Sequence, residues 1–294
     1  VVVDAIDDRV HSDGNITIAE GNARLATAGD GADAAERLVI TGGALTVIDI
    51  PGPGLLVTEI EGLLDQVAEG EVTLAAGVVN RIGRGFDAVV GYLDELLQGG
   101  AQQPLYLYPY YKGVLEARGS DRIEAAELFI APPTPQVAAP AEVELDASQR
   151  KKLLGHFELG LLKLLTGDAA DQGANRLLAA ARAMRKARIG ARDPAFWLAV
   201  EGLLEALAAG KLEPDVSIKR LLARLNLQLR KTLMDDAPIS ARLQRDALFA
   251  ISRIRRRTPT VVEVVSAWKL DEAIPADYHK PRYGRVDRRT LATI

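Results

Sequence analysis

Three histidines, at positions 11, 156 and 279, are the side chains of this sequence best suited to accept a phosphoryl group or to bind a metal ion. None of them has a second histidine or a glutamate at the spacing that metal ligands require. His11, Ser12 and Asp13 are the residue types of a catalytic triad, but three consecutive residues cannot adopt its geometry, and the Asp-Gly-Asn that follows favours a turn. We therefore interpret His11, His156 and His279 as surface or capping residues, and we expect no metal site and no cofactor.

The other common catalytic features are also missing from the sequence. There is no cysteine, which excludes disulfides, thiolate nucleophiles and cysteine-ligated metals and fits a reducing cytoplasm. Neither a Gly-x-x-x-x-Gly-Lys-Ser/Thr loop nor a strand-led Gly-x-Gly-x-x-Gly occurs. Gly77, Gly83 and Gly85 instead interrupt a predicted helix, where each costs ~1 kcal/mol relative to alanine, and we interpret them as points of close helix packing. We expect this chain not to be an enzyme.

Basic residues concentrate at two places in the second half of the chain. They are Arg182, Arg185, Lys186 and Arg188, followed by Arg253, Arg255, Arg256 and Arg257. Such clusters can bind nucleic acid or an acidic protein surface, or they can form a solvated face near helix C-termini, where cations meet the negative end of the helix dipole. No aromatic residues interleave with the arginines to stack on bases, so nucleic acid is the least favoured alternative.

The chain divides near a proline-rich segment. Residues 131–140 contain four prolines, which predicts an extended linker. Residues 1–145 carry 8 Lys and Arg against 23 Asp and Glu, whereas the remainder carries 28 against 17. The charge therefore reverses where the prolines lie, and both signals place a domain boundary at about 131–145.

Apolar residues at three- and four-residue intervals predict helices on both sides of this linker. In the first half we predict a weak candidate across 2–27, helices over 33–48 and from about 55 to Gly70, another over 73–98, and a short one from Pro109. In the second half we predict helices over 147–166, 171–188, 194–209, 215–233, 239–256 and 260–269. The fold class is therefore all-α.

Two groups of aromatic residues also have structural interpretations. Tyr106, Tyr108, Tyr110 and Tyr111 lie in one short segment and are expected to fix a crossing segment onto a bundle, or alternatively to form an interface. Trp197 and Trp268 are predicted core residues.

A short internal repeat relates the two halves. Residues 61–70 (EGLLDQVAEG) align without gaps with 201–210 (EGLLEALAAG), and a long predicted helix follows each. The simplest interpretation is a tandem repeat of one antiparallel helical bundle, with chance similarity of Leu- and Ala-rich segments as the competing one.

No apolar stretch reaches the ~20 residues needed to cross a bilayer, so we expect a soluble, cytoplasmic chain without membrane insertion. The sequence does not begin with Met, and residues 287–291 are typical of a helix start close to the last residue. We interpret the chain as a piece of a longer polypeptide.

Residues 39–44 (VITGGA) and 60–71 (IEGLLDQVAEGE) resemble a histidine phosphotransfer (HPt) domain. In that family an exposed helix carries His-x-x-Lys-Gly. Here the resemblance implies that Val39 occupies the phosphoacceptor position, with Gly42 and Gly43 at the lysine and glycine positions. The alignment of the internal repeat puts Ala179 at the equivalent place in the second half. Neither side chain has a nucleophilic nitrogen, so neither could carry phosphate.

Six further segments resemble the N-terminal region of chemotaxis-type hybrid histidine kinases of the ChpA/PilL kind, which control type IV pili and twitching motility. These segments are residues 103–109, 116–119, 126–129, 157–163, 196–200 and 274–278. A related stand-alone scaffold, FimL, likewise lacks the phosphoacceptor histidine. The resemblance implies two tandem HPt-like bundles (1–130 and 146–274), a linker (131–145) and an extended tail (275–294).

The function implied by this resemblance is that of a non-catalytic module of a two-component chemosensory system. It would present Val39, Gly42 and Gly43 to a response regulator or to a scaffold protein at the cell pole. The alternative is the N-terminal regulatory part of an active hybrid histidine kinase whose working phosphorelay domains lie downstream. Nucleic-acid binding is the third hypothesis.

Overall fold

Helices make up most of the chain, as predicted. The computed structural model describes residues 50–138, 140, 142–188 and 193–284, together with the backbone of four short strands before them. The chain forms two compact units. The first unit takes the residues up to Ile130 and those from Pro275 onward, and the second takes Ala131–Ile274.

The strands near the start of the chain form an antiparallel sheet in sequence order. They are β1 (Val2–Val3), β2 (Ile16–Ala19), β3 (Asn22–Ala26) and β4 (Arg37–Thr41). Ala19 pairs with Asn22, and Arg24 pairs with Val39. The helices predicted across 2–27 and 33–48 are therefore wrong at these positions, and the first unit is not a purely helical bundle. The sequence accounts for part of the difference, since β1, β2 and β4 are rich in β-branched residues.

The core of the first unit, in the part that the structure describes, is formed by α1 (Pro53–Ala68), α2 (Ala76–Leu97) and α3 (Tyr108–Ala117). Proline in the first turn starts α1 and α3, because its missing N–H has no helical partner there. Short 3₁₀ helices at Pro104–Leu107 and Ala125–Leu128 complete this part. The fully buried side chains are supplied by all of these elements; they include Leu56, Ile60 and Leu63 of α1, Phe86 and Val89 of α2, and Val114 of α3.

Further helices form the second unit. Over its described residues they are α4 (Ala147–Thr166), α5 (Ala170–Lys186), α6 (Pro194–Ala208), α7 (Val216–Asp235), α8 (Ala241–Ser252), α9 (Pro259–Ala267) and the single turn α10 (Leu270–Ala273). Two-residue strands β5 (Val143–Glu144) and β6 (Ala187–Arg188) pair in parallel. All of these helices except α10 were predicted from the sequence, with ends that agree within a few residues.

Local capping chemistry explains why several of these helices begin where they do. Asp146 accepts a hydrogen bond from the Gln149 N–H while the Gln149 side chain bonds back to the Asp146 N–H, which is a capping box. The side chains of Asp193 and Asp215 also cap helices, but without the return bond. Asp193 accepts a hydrogen bond from the Phe196 N–H at the start of α6, and Asp215 accepts one from the Ile218 N–H at the start of α7, both at 2.8 Å. The predicted core residues Trp197 and Trp268 are buried, and so is the whole apolar stripe of α7.

The turn after α1 and the turn after α6 have the same hydrogen bonds at positions that the internal repeat makes equivalent. The Gly70 N–H donates to the Val67 carbonyl and the Gly210 N–H to the Leu207 carbonyl, both at 3.1 Å. Both glycines have positive φ, at 77° and 64°. The helices that follow, α2 and α7, also begin at equivalent positions of the alignment. The repeat seen in the sequence thus extends to backbone geometry over this helix–loop–helix segment.

Candidate partner-binding surface

Val39, the residue predicted to occupy the phosphoacceptor position in the first unit, is not on a helix. Val39 lies within strand β4, paired with β3. The phosphoacceptor position of an HPt domain lies on an exposed helix, so the predicted alignment at Val39 is wrong in its structural context. Gly42 and Gly43 lie outside the described residues.

The equivalent residue predicted for the second unit, Ala179, does lie exposed on a helix. Asn175, Ala179, Arg182 and Lys186 follow one another along α5 and are all exposed. Their spacing of four, three and four residues places them on one side of the helix. We call these four residues the α5 face.

Close packing against α4 fixes the position of α5. A Cβ on Gly173 would lie 2.7 Å from the Gly160 carbonyl oxygen and 2.9 Å from the Leu164 nitrogen, so only glycine allows the two backbones to approach this closely. On the same side of α5, Leu177, Ala181 and Met184 are buried. The α5 face points away from this contact because its residues lie on the opposite side of the helix.

A buried carboxylate organises the C-terminal end of the α5 face. Glu201 of α6 is only 8% exposed, and its two oxygens accept hydrogen bonds from Arg182 Nε and Arg185 Nη1, each at 3.1 Å. Arg185 also lies 3.5 Å from the Glu263 carboxylate. Charge-assisted bonds of this kind hold a guanidinium in a defined orientation. The sequence did offer a signal for Glu201. The charged residues of α6 are Glu201 and Glu205, in a helix that is apolar elsewhere, and a charged residue needs a partner when it is buried.

These side chains line a cleft of about 430 Å³ together with part of the proline-rich segment. The lining residues are Ala138, Pro140, Arg182, Arg185, Lys186 and Glu201. The segment predicted as a linker therefore forms one wall of the cleft. Earlier in the same proline-rich segment, the Thr134 hydroxyl accepts a hydrogen bond from the Gln244 side chain of α8 at 2.9 Å.

Acidic residues partly neutralise the predicted basic clusters. Arg188 lies 3.6 Å from Glu142 and 3.4 Å from Glu144, and Arg257 pairs with Asp271. The guanidinium of Arg257 lowers the pKa of the Asp271 carboxyl. Together with the Glu201 network, these pairs weaken the case for a phosphate-binding surface, which requires uncompensated positive charge.

Neither of the histidines that the structure describes belongs to the α5 face or lines the cleft. His156 is half-buried on α4, and His279 is exposed beside the Tyr278 ring. His11 lies outside the described residues. Across the described part of the chain, no three His, Asp or Glu side chains come together in a way that could hold a metal ion. Nor is any helix in that part long and apolar enough to cross a membrane.

Tyrosines form a second cluster, in the first unit. Tyr106, Tyr108 and Tyr110 contact residues 278–283, which return to this unit after the second one. The prediction that these tyrosines fix a crossing segment onto a bundle agrees with this arrangement. The tail predicted from Pro275 is therefore attached to the first unit over these residues.

Comparison with protein families relates the second unit to a known domain. Residues 143–281 match the family model described as the second domain of the FimL scaffold protein. This match spans just under half of the 294 residues and includes every helix from α4 to α10. No curated protein and no solved structure matches the chain. The second unit is thus similar to a domain of a scaffold protein.

Proposed function

We propose that this chain is a non-catalytic scaffold module of a signalling system that controls type IV pili. The observation that carries the proposal is the match of residues 143–281 to a scaffold-protein domain. The earlier resemblance to hybrid kinases of pilus chemosensory systems agrees with it. In such a role the chain binds another protein and transfers no chemical group.

The α5 face is the surface that we assign to the partner. It is exposed along its length, and it is held rigidly by the Gly160–Gly173 contact and by the buried Glu201 carboxylate. A rigid helix face loses little conformational entropy on binding, which favours recognition. Ala179 at its centre leaves room for a partner helix, and the exposed Lys186 favours an acidic group on the partner.

We propose a receiver domain of a response regulator as that partner. An exposed helix face without a phosphoacceptor can bind such a domain while leaving its phosphate in place. None of the four residues of the α5 face is a histidine, so this face has no nucleophilic imidazole nitrogen that could accept the phosphoryl group. Binding would therefore hold the receiver domain at the scaffold without removing its phosphoryl group.

The test is binding of purified receiver domains from the pilus chemosensory system to the immobilised chain, with and without acetyl phosphate. Ala179→Glu puts an anionic side chain at the centre of the α5 face and should weaken binding at least tenfold. Ala223→Glu is the matched control, because Ala223 is an exposed helical alanine on α7. It should leave binding unchanged.

The same samples report on catalysis. The aspartyl phosphate should remain on the receiver domain, and acid-labile phosphate, the form that a histidine carries, should not appear on the chain. Full binding by the Ala179→Glu variant would refute the assignment of the surface. Phosphate recovered on His11, His156 or His279 would show instead that the chain is a working relay.

A further inference from the structure

The first unit holds residues 278–283 in a groove with specific side-chain chemistry. Tyr283 lies between two aromatic rings, at 6.2 Å from the Tyr92 centroid in an edge-to-face arrangement and 6.3 Å from the Tyr110 centroid. Its hydroxyl donates a hydrogen bond to Glu95 at 2.7 Å. The aromatic contacts and the polar contact together define both the depth and the direction of the ring.

The preceding residue is recognised separately. Arg282 donates a hydrogen bond to the other oxygen of Glu95 at 2.6 Å, and its guanidinium lies 4.2 Å from the centroid of the Tyr106 ring. One carboxylate thus binds two consecutive side chains, and one ring face adds a cation–π contact. A lysine could supply the charge but not the planar stacking.

The backbone of the segment is also bound. The Tyr283 N–H donates to the Tyr110 hydroxyl at 2.6 Å, and that hydroxyl in turn donates to the Tyr283 carbonyl. Gly91 of α2 provides the space for the ring, since a Cβ there would lie 2.9 Å from Tyr283 Cδ1. Main-chain bonds with side-chain pockets are the features by which proteins recognise short peptides.

The segment itself is irregular in its backbone, and Arg282 remains 44% exposed at its side chain. It does not contribute to the fully buried core formed by α1, α2 and α3. Because exposed ion pairs and single aromatic contacts are individually weak, attachment of this kind is reversible.

We propose that the groove formed by Gly91, Tyr92, Glu95, Tyr106 and Tyr110 is a binding site for an Arg-Tyr peptide. Residues 278–283 of the chain occupy it in cis, and the same segment added in trans enters it once the resident segment has left. This site is independent of the scaffold role of the second unit. Residues 278–283, which follow the second unit, are therefore attached to the groove by a contact that can open and be replaced.

The first experiment measures hydrogen exchange of the full chain. Gly91→Ala places a methyl group against the Tyr283 ring and should speed exchange of the 278–284 segment at least tenfold. Gly83→Ala is the matched control, because Gly83 is on the same helix and a Cβ there meets nothing within 4 Å. It should leave the exchange unchanged. Equal exchange in Gly91→Ala, Gly83→Ala and the wild type would overturn the assigned groove.

The second experiment tests recognition in trans. A labelled synthetic peptide with the sequence of residues 275–284 is titrated into the wild-type chain and into the double variant Arg282→Ala/Tyr283→Ala, whose own segment cannot fill the groove. The peptide should bind the double variant at least tenfold more tightly than the wild type. Adding Glu95→Gln to the double variant should reduce that binding at least tenfold.

The outcomes decide the proposal clearly. Similar binding to the wild type and the double variant would mean that the peptide binds elsewhere, and absence of binding to a folded double variant would mean that the groove needs the covalent connection. Either result overturns the proposal. Far-UV circular dichroism and the thermal midpoint establish that the variants are folded.

Discussion

Replacement of Gly173 by alanine should destabilise the protein through a single added methyl group. The new Cβ would lie 2.7 Å from the Gly160 carbonyl oxygen and 2.9 Å from the Leu164 nitrogen. Both are backbone atoms of α4 and cannot rotate away, so α4 and α5 must move apart. Overpacking of this kind costs about 1–3 kcal/mol, and the rigid backbone on both sides favours the upper end.

The helix propensity of alanine offsets part of this cost. Alanine is favoured over glycine by about 1 kcal/mol within a helix, which leaves a net loss of about 2 kcal/mol in the free energy of unfolding. Gly155 on α4 provides the control, because it is exposed and a Cβ there meets nothing within 4 Å. Gly155→Ala should therefore stabilise the protein by about 1 kcal/mol. Gly160→Ala, with its closest contacts at 3.0 Å, should fall between the two.

Urea unfolding followed by tryptophan fluorescence measures these differences in the second unit alone, because both tryptophans of the chain, Trp197 and Trp268, lie there. The midpoint should fall for Gly173→Ala and rise for Gly155→Ala, with no change in the dependence on urea. If Gly173→Ala is as stable as the wild type, α4 and α5 are not in backbone contact at this point, and the rigid positioning of the α5 face fails with it.

Further predictions concern the charged and titratable side chains. Double-mutant cycles with Arg185→Met and Glu201→Leu should give a coupling of about 1–2 kcal/mol in unfolding experiments, because both side chains are largely buried; additive effects would contradict the pairing. Burial, with a smaller contribution from the Glu95 carboxylate, raises the pKa of Tyr92 to about 12. Burial and the hydrogen bond to Glu95 also raise the pKa of Tyr283. These raised pKa values mean that the stability contributed by the neutral phenols is present below pH ~10 and is lost as the pH rises further, so an alkaline titration of tyrosinate absorbance should show these two phenols ionising last. Burial acts to raise the pKa of Asp215, but hydrogen bonds from the first turn of α7 lower it overall, so its contribution is present above pH ~4 and is lost as the pH falls. Asp215→Ala should reduce the free energy of unfolding at neutral pH by about 1 kcal/mol. Thermal unfolding of this variant should depend less on pH in the acid range than that of the wild type.

The helices could be predicted from the sequence because their signals are local. The limits of α4 agree with the prediction at both ends, where Asp146 closes a capping box and Gly167 adopts a positive φ of 80°. Each of these features depends on residues within one turn of the helix. The apolar stripe of α7 was equally clear, since it repeats with the period of the helix itself.

The strands before residue 50 could not be distinguished in the same way. The residues of β4 form a short apolar run, which is compatible with either a strand or a buried helix when periodicity alone is considered. What decides the conformation is pairing with β3, which lies earlier in the chain. The HPt-like alignment at Val39 failed for this reason, because it assumed a helix where the chain forms a sheet.

The groove in the first unit shows a second limit of sequence reasoning. Tyr110 and Tyr283 are 173 residues apart, and no local pattern connects them. The unusual concentration of tyrosines around residues 106–111 indicated that some segment would pack there, but not which one. Gly91 was not singled out at all, whereas Gly77 and Gly83 were predicted to be packing points and have open space around them. Gly85 does fit that prediction, because a Cβ there would meet Ile60 at 2.8 Å.

The internal repeat bears on which unit carries the function. Hydrogen bonds agree at equivalent positions of the turns after α1 and α6, yet the surroundings of the matching glycines differ. Gly62 faces the guanidinium of Arg118, whereas Gly202 packs against Val264 of α9. The structural equivalence of the two repeats does not extend to Val39 and Ala179, because Val39 is in a strand and Ala179 is on a helix.

What the two units share is therefore a helix–loop–helix framework and not a binding surface. A partner that recognises the α5 face will not find the same surface on the first unit, so the partner should bind with a stoichiometry of one to one. Isothermal titration calorimetry of the chain with a receiver domain measures this ratio directly. Two equivalent sites per chain would contradict the argument, because they would require the first unit to present a face like that of α5.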